Sequence, residues 1–190
     1  MSHEFSHKKA IVFGYRNYGE KDRYYNLLIE DDGLRYVRVQ GVRDVKSKHR
    51  NLLGLFACPT ITYIHGREYR LIGIQEDEYL ATTEELVFAF SFIANITRVV
   101  EFDEAEHKGL YHLIREIHDE ISQHPAVPRT KLLVYIASTI LNFIGYGDEK
   151  HEHMPLEQVI LTYETIHTKV RAMVYEHREL SFLNEYLDIV

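Results

Sequence analysis

Near residue 80 the spacing of apolar residues changes from every second position to every third or fourth, and this break constrains the fold more than any other feature of the chain. Before it, β-branched and aromatic runs follow one another with no helical stretch between the first four. Residues 8–17 (KKAIVFGYRN) and 23–30 (RYYNLLIE) are two such runs, divided by YGEKD. Asp31-Asp32-Gly33 then reads as a tight turn in which Gly33 takes a positive φ. Residues 34–40 (LRYVRVQ) alternate polar and apolar, as a half-buried strand does. The following GVRDVKSKHRN has few apolar anchors and reads as a loop. A fourth strand over 55–64 contains Pro59, which belongs at an edge or a bulge. His65-Gly66 predicts a two-residue hairpin turn into a fifth strand over 67–76. Five short strands with short connections fit an open or closed antiparallel barrel better than a parallel sheet.

Beyond the break, Thr82 as N-cap with Glu85 reaching back predicts a capping box. Leu86, Phe90, Ile93, Thr97 and Val100 share one face of the helix that follows, and Ala89, Phe92, Ile96 and Val99 line the adjacent one. So broad an apolar surface places this first helix at the centre of its domain. A second helix is expected near 103–122, with Leu110, Leu113, Ile114, Ile117 and Ile121 inward. His124-Pro125-Ala126-Val127-Pro128 breaks the chain. A third helix covers about 129–144 and ends at Gly145-Tyr146-Gly147. Pro155 fits the first turn of a fourth helix running to about 177, and Phe182 to Val190 fits a short fifth. The expected architecture is α+β, with a five-stranded barrel domain over 1–80 and an all-α domain over 81–190.

Charge follows the same break. Residues 1–75 hold 13 Lys/Arg against 8 Asp/Glu, a balance of +5, whereas residues 76–190 hold 9 against 21, a balance of −12. One half is suited to meet a polyanion and the other is not. Within the basic half, Arg43, Lys46, Lys48 and Arg50 sit in the loop, with Asp44 as its only acid. Loop cations suit phosphates, because binding releases counterions and tolerates loose geometry. Arg16, Lys21, Arg23, Arg35 and Arg38 lie on the neighbouring strands, interspersed with Tyr15, Tyr18, Tyr24, Tyr25, Tyr36 and Tyr63. Rings beside cations on a small barrel are what single-strand binding needs, since every base can stack on a ring. The same residues also fit a solvated loop above a Tyr-rich core.

Catalytic and metal chemistry find little support. The chain has no Gly-rich phosphate loop, nucleophile elbow or Cys-His arrangement, and so no enzyme class is indicated. Cys58, the single cysteine, lies among apolar neighbours and reads as a packed small side chain in a reducing compartment. Among twelve histidines, His151 and His153 stand two apart with no third fixed ligand, and His107, His112 and His118 share no i, i+4 register, so surface histidines are the better reading. Glu30-Asp31-Asp32 and Glu76-Asp77-Glu78 mark strand ends rather than acid/base pairs. With no eighteen-residue apolar run and no apolar leader core near the start, a cytoplasmic protein without a membrane span is expected.

Several residues of the first half resemble the N-terminal domain of RecO, the bacterial recombination mediator. They are Ala10-Ile11-Val12, Tyr18-Gly19-Glu20-Lys21-Asp22-Arg23, Gly41-Val42-Arg43, Lys46-Ser47-Lys48, Leu53, Phe56 and Gly66-Arg67. Their order follows the family's opening, where a strand precedes a YGExDR-type turn and a KGxR…KSR loop follows. In the second half Leu141-Asn142-Phe143-Ile144-Gly145-Tyr146 is similar to the family's helix ending in LGY. The resemblance implies an OB-fold barrel followed by a helical domain. It implies binding to single- and double-stranded DNA, strand annealing in DNA repair, and contacts with RecR and with the C-terminal tail of single-stranded-DNA-binding protein. The implied DNA contacts are the ten cations Arg16, Lys21, Arg23, Arg35, Arg38, Arg43, Lys46, Lys48, Arg50 and Arg67. An alternative is a non-catalytic adaptor whose barrel binds DNA weakly or not at all. A receptor for an acidic tail needs cations beside apolar side chains, and in the acidic half Arg115, Arg129, Lys131 and Arg171 are the candidates, with Lys169 and Arg178 nearby in sequence.

Many RecO proteins carry a four-Cys zinc module after the LGY helix, and here the corresponding GDEKHEHMP has no Cys. No zinc or other cofactor is therefore expected. Elemental analysis of chelator-free protein should show far less than one zinc per chain. A stoichiometric zinc that survives dialysis contradicts this and points to His151 and His153.

Overall fold

The computed structural model describes residues 5–65, 68–100, 104–146 and 154–187. Two compact units result, one of residues 1–82 with 107–114 and one of residues 83–106 with 115–190. The first contains β1 (Phe5–Tyr18), β2 (Asp22–Ile29), β3 (Gly33–Val39), β4 (Ala57–His65) and β5 (Tyr69–Tyr79). They form a closed barrel in the order β1-β2-β3-β5-β4. Its pairings are antiparallel except for β3 with β5, which run parallel.

Closure depends on β1 serving two neighbours. Phe5 to Lys9 pair with Ile64 to Thr60 of β4, and Ala10 to Tyr18 pair with Ile29 to Asp22 of β2. A register shift between Val12 and Gly14 bends the strand near the change of partner. A second shift falls between Cys58 and Thr60, at Pro59, where the missing N–H would break the ladder. The inward side chains follow the two-residue period. Ala10, Val12, Tyr25, Leu27, Ile29, Val37, Val39, Ile61 and Tyr63 fill the interior, joined by Val42 and Leu53 from the long β3–β4 loop.

The β2–β3 turn is built as the sequence predicts, with Asp31 at φ 59° and Gly33 at φ 73°. Gly33 is required for a second reason. A Cβ there would collide with the His107 side chain, so the start of the helical stretch 107–114 lies directly against this turn. From the same stretch, the Tyr111 hydroxyl is 3.3 Å from the buried Cys58 Sγ. Gly66 falls outside the described residues, and with it the expected His65-Gly66 turn.

The helices are α1 (Glu84–Val99), α2 (Glu104–Gln123), α3 (Arg129–Phe143), α4 (Leu156–Leu161), α5 (Tyr163–Glu176) and α6 (Asn184–Leu187), with a 3₁₀ turn over Arg178–Leu183 before α6, and all belong to the second unit except residues 107–114 of α2. The N-cap of α1 is Thr83, not Thr82. Its Oγ1 accepts the Leu86 N–H at 3.2 Å, while the Thr82 N–H is still engaged with the Leu80 carbonyl. The central helix is α3 rather than α1. Every residue from Leu132 to Leu141 is buried, and α3 packs on α1, α4, α5 and α6. By contrast α1 leaves Val87 and Val99 each 44% exposed. A Schellman motif ends α3. Gly145, at φ 79°, donates to the Asn142 carbonyl and Tyr146 donates to that of Leu141.

The expected fourth helix is two helices. Thr162 leaves the α basin at φ −111° and ψ 25°, and its hydroxyl bonds back to the Gln158 carbonyl, so α4 ends there and α5 begins. Pro155 is the N-cap of α4 rather than a residue of its first turn. The last stretch forms part of the 3₁₀ turn and α6 in place of one helix from Phe182, with 188–190 outside the described residues. Among the described residues no helix is long and apolar enough to cross a membrane.

Asp32 ties β1 and β4 to the β2–β3 turn. It accepts from the Tyr63 hydroxyl and, at 3.0 Å, from Lys8 Nζ. Burial pushes its carboxyl upward, but the bonds from Tyr63 and Lys8 outweigh this and hold it below its ordinary value. The folded chain thus favours the carboxylate. Its contribution is complete above the unfolded value of about 3.9 and is lost as pH falls through the lower folded value. Asp32→Asn should cost about 1–2 kcal/mol at neutral pH and flatten the acid limb of stability. Urea melts of both proteins at pH 7 and near pH 3 check this, and an equal loss at both values contradicts it.

Candidate nucleic-acid interface

Strand register brings together residues that are scattered in sequence. Arg16 of β1 pairs with Tyr24 of β2, Tyr24 with Arg38 of β3, and Arg38 with Arg70 of β5. Because side chains alternate, Tyr18 and Tyr36 share this face, and Tyr25, Val37 and Val39 point the other way into the core. The result is an outward row of cations and rings across four strands. Arg16 lies over the rings of Tyr24 at 5.3 Å and Tyr36 at 5.7 Å. Arg38 lies 5.1 Å from the Tyr18 ring, and Tyr18 meets Tyr24 edge-on at 5.0 Å. Tyr18 and Tyr36 keep 50% and 58% of their surface exposed, so ring faces remain open to solvent.

Two carboxylates are set into the same face. Asp22 accepts from Arg38 Nε at 3.1 Å and Nη2 at 2.8 Å, and its other oxygen accepts the Gly41 N–H at 2.9 Å. The Gly41 amide and then the Arg38 guanidinium hold the Asp22 carboxyl below its usual range. Glu68 accepts from Arg38 Nη1 at 3.3 Å, Arg70 Nε at 2.9 Å and the Tyr24 hydroxyl at 2.8 Å. Arg70 first and Tyr24 second hold the Glu68 carboxyl low, and the Tyr24 hydroxyl is pushed up mainly by its bond to Glu68. Neither Glu68 nor Arg70 was among the residues singled out from sequence. Their role depends on the β3–β5 pairing, which local sequence does not display.

The β3–β4 loop is more ordered than a run of flexible cations. Arg43 donates its N–H to the Lys21 carbonyl and its Nη1 to the Gly19 carbonyl, both at 2.9 Å. Val42 and Leu53 pin the loop to the core. Asp44 makes a local turn, accepting the Lys46 N–H on its side chain and the Ser47 N–H on its carbonyl. Lys21, Lys46, Lys48 and Arg50 are exposed and form no ion pair among the described residues.

The other sequence candidates fall elsewhere. Arg35 shares the inward parity of Val37 and Val39 and donates to the Tyr69 hydroxyl at 3.1 Å, away from the row. Arg23 has the same inward parity, bonding Asn17 at 3.2 Å and lying 4.0 Å from the Tyr15 ring. Tyr25 and Tyr63 are core residues, 0% and 1% exposed. Both strand arginines could have been sorted by the two-residue period of LRYVRVQ and RYYNLLIE. Arg67, His151 and His153 lie outside the described residues. Among the described residues no three His, Cys, Asp or Glu side chains gather as a metal-ligand set.

In the second unit, Arg129 and Lys131 open α3 but serve different neighbours. Arg129 pairs with Glu84 and lies 5.1 Å from the Phe88 ring, both on α1. Lys131 reaches the Ile160 carbonyl at 3.4 Å and lies 5.6 Å from the Tyr163 ring. This pair therefore does not converge. Arg115 is half-buried on α2 and Arg171 exposed on α5, and neither is without partners. A pocket of about 190 Å³ opens between α3 and α5, lined by Lys169 and Glu176 together with Tyr146, Ile166, Val170 and Met173.

Comparison with known proteins finds no family model that matches this chain and no matching curated relative. The site must be read from its own chemistry: arginines backed by rings, open tyrosine faces and a cationic loop anchored beside them.

Proposed function

We propose that this chain is a non-catalytic nucleic-acid-binding protein of the RecO type, which binds and anneals single-stranded DNA during repair. The observation that carries the reading is the Arg16–Tyr24–Arg38 row, flanked by the half-exposed rings of Tyr18 and Tyr36. The strand order, with β3 and β5 as a parallel pair, supports an OB-type barrel, in which this outer face is a natural strand platform. Phosphates would contact Arg16, Arg38 and the loop cations Lys46, Lys48 and Arg50, while bases stack on Tyr18 and Tyr36. Rings accept any base, so sequence preference would be weak. Double-stranded DNA, RecR and the tail of single-stranded-DNA-binding protein complete the proposed partners, and the cytoplasm the proposed location.

One observation favours a second reading as a protein-binding adaptor. Asp22 and Glu68 neutralise part of the cationic face. The two readings separate by salt. Nucleic-acid affinity falls steeply as salt rises, by about 0.7 in the log–log slope for each single-strand phosphate neutralised.

Fluorescence polarisation with a labelled oligothymidylate across a salt series tests the proposal. Changing Lys46, Lys48 and Arg50 together to Ala should weaken binding and lower the slope by up to about 2, with little change in stability, whereas Arg43→Ala would also release the loop from the Gly19 carbonyl. Tyr18→Ala and Tyr36→Ala should each cost about 1–3 kcal/mol of affinity and leave the slope nearly unchanged. Affinity unaffected by either set at low salt removes this face as the contact. For the tail, calorimetry of the intact protein with the acidic peptide at low salt should give heat. Lys169→Glu, at the pocket between α3 and α5, should abolish it without altering DNA affinity, and absence of heat removes the tail from the list of partners.

A further inference from the structure

Glu68 is an unusual member of a cationic face. Both of its oxygens are engaged, by donors from three separate segments: the Tyr24 hydroxyl of β2, Arg38 Nη1 of β3 and Arg70 Nε of β5. Two guanidinium groups and a hydroxyl around one anion are the donors that hold a phosphate. Resting on the nucleic-acid reading, we propose that Arg38, Arg70 and Tyr24 form a phosphate seat that Glu68 fills until a nucleic-acid phosphate displaces it.

The geometry suits an exchange. Asp22 holds Arg38 through Nε and Nη2, leaving Nη1 for the seat, so Arg38 stays in place when Glu68 leaves. Glu68 stands just before Tyr69, the first ladder residue of β5, and its departure breaks no strand hydrogen bond. The seat is open to solvent, with Arg70 48% and Glu68 27% exposed. Exposed ion pairs contribute little to stability, so one that competes with a polyanion costs the fold little to release. Tyr18 and Tyr36 flank Arg38 on the same face, and a strand whose bases stack there would bring a phosphate to the seat. In this arrangement Glu68 sets the threshold of affinity and sharpens its dependence on salt and on anion charge.

The test compares Glu68→Gln with Glu20→Gln, which removes an exposed acid from the β1–β2 turn and reports the generic effect of one charge. Thermal melts confirm that both variants fold. Polarisation with the labelled oligothymidylate should show at least about a threefold gain for Glu68→Gln over Glu20→Gln at low salt. Its slope should steepen by about 0.7 for each arginine released. Adding Arg38→Ala to Glu68→Gln should erase the gain. Equal effects of the two acid variants, or weaker binding by Glu68→Gln, overturn the seat while leaving oligonucleotide binding by the parent protein intact. If no variant binds the oligonucleotide, the nucleic-acid reading itself fails. Calorimetry with tripolyphosphate then decides the seat, as heat enhanced by Glu68→Gln retains an anion site and no enhancement removes it.

Discussion

The first unit depends on β1 changing partners. A 14-residue strand pairs with β4 along its first part and with β2 along the rest, and the β3–β5 pairing closes the remaining gap. Closure removes the exposed edges that would otherwise offer unpaired backbone groups to other chains. It also gives the alternating apolar residues a common interior, so that Tyr25 and Tyr63 are buried and Tyr18 and Tyr36 are left outside. The division of tyrosines between core and surface is thus a consequence of ring closure, and the candidate site is the outer half of that division.

Asp22 joins the site to the loop. One oxygen holds the Arg38 guanidinium and the other holds the Gly41 amide at the start of the β3–β4 loop. Val42 then enters the core and Arg43 returns to the β1–β2 turn. The start of the loop, Gly41 to Arg43, is thus held beside the ring-and-arginine row by a few specific bonds. The same carboxylate lowers the net positive charge of the face. Placement of the cations is obtained at some expense of their number.

In the second unit, α3 plays the part that the closed sheet plays in the first. Ten successive buried residues leave it no polar face, and only neighbours on all sides can satisfy such a helix. Its flanking helices carry the acidic surface. The C-terminal α6 is tied to α1 by Asn95 bonding the Tyr186 hydroxyl at 3.2 Å and by Phe92 lying 4.9 Å from the Tyr186 ring.

Local chemistry in the sequence was enough to determine the five strands, the Gly33 turn, the interrupted ladder at Pro59, the helix end at Gly145 and the charge break. Each depends on residues a few positions apart: period, proline's missing N–H, or glycine's left-handed backbone. The parity that separates Arg35 from Arg38 was also present in LRYVRVQ. Helix centrality was not, because α1 and α3 are both broadly apolar and only packing decides which one is enclosed. Nor was the split at Thr162 legible, since no Gly or Pro marks it. Arg70 and Glu68 join Arg38 and Tyr24 only through a parallel pairing of strands some thirty residues apart. Tertiary structure alone decided that juxtaposition, because register between distant strands is fixed by the closed core rather than by any spacing along the chain.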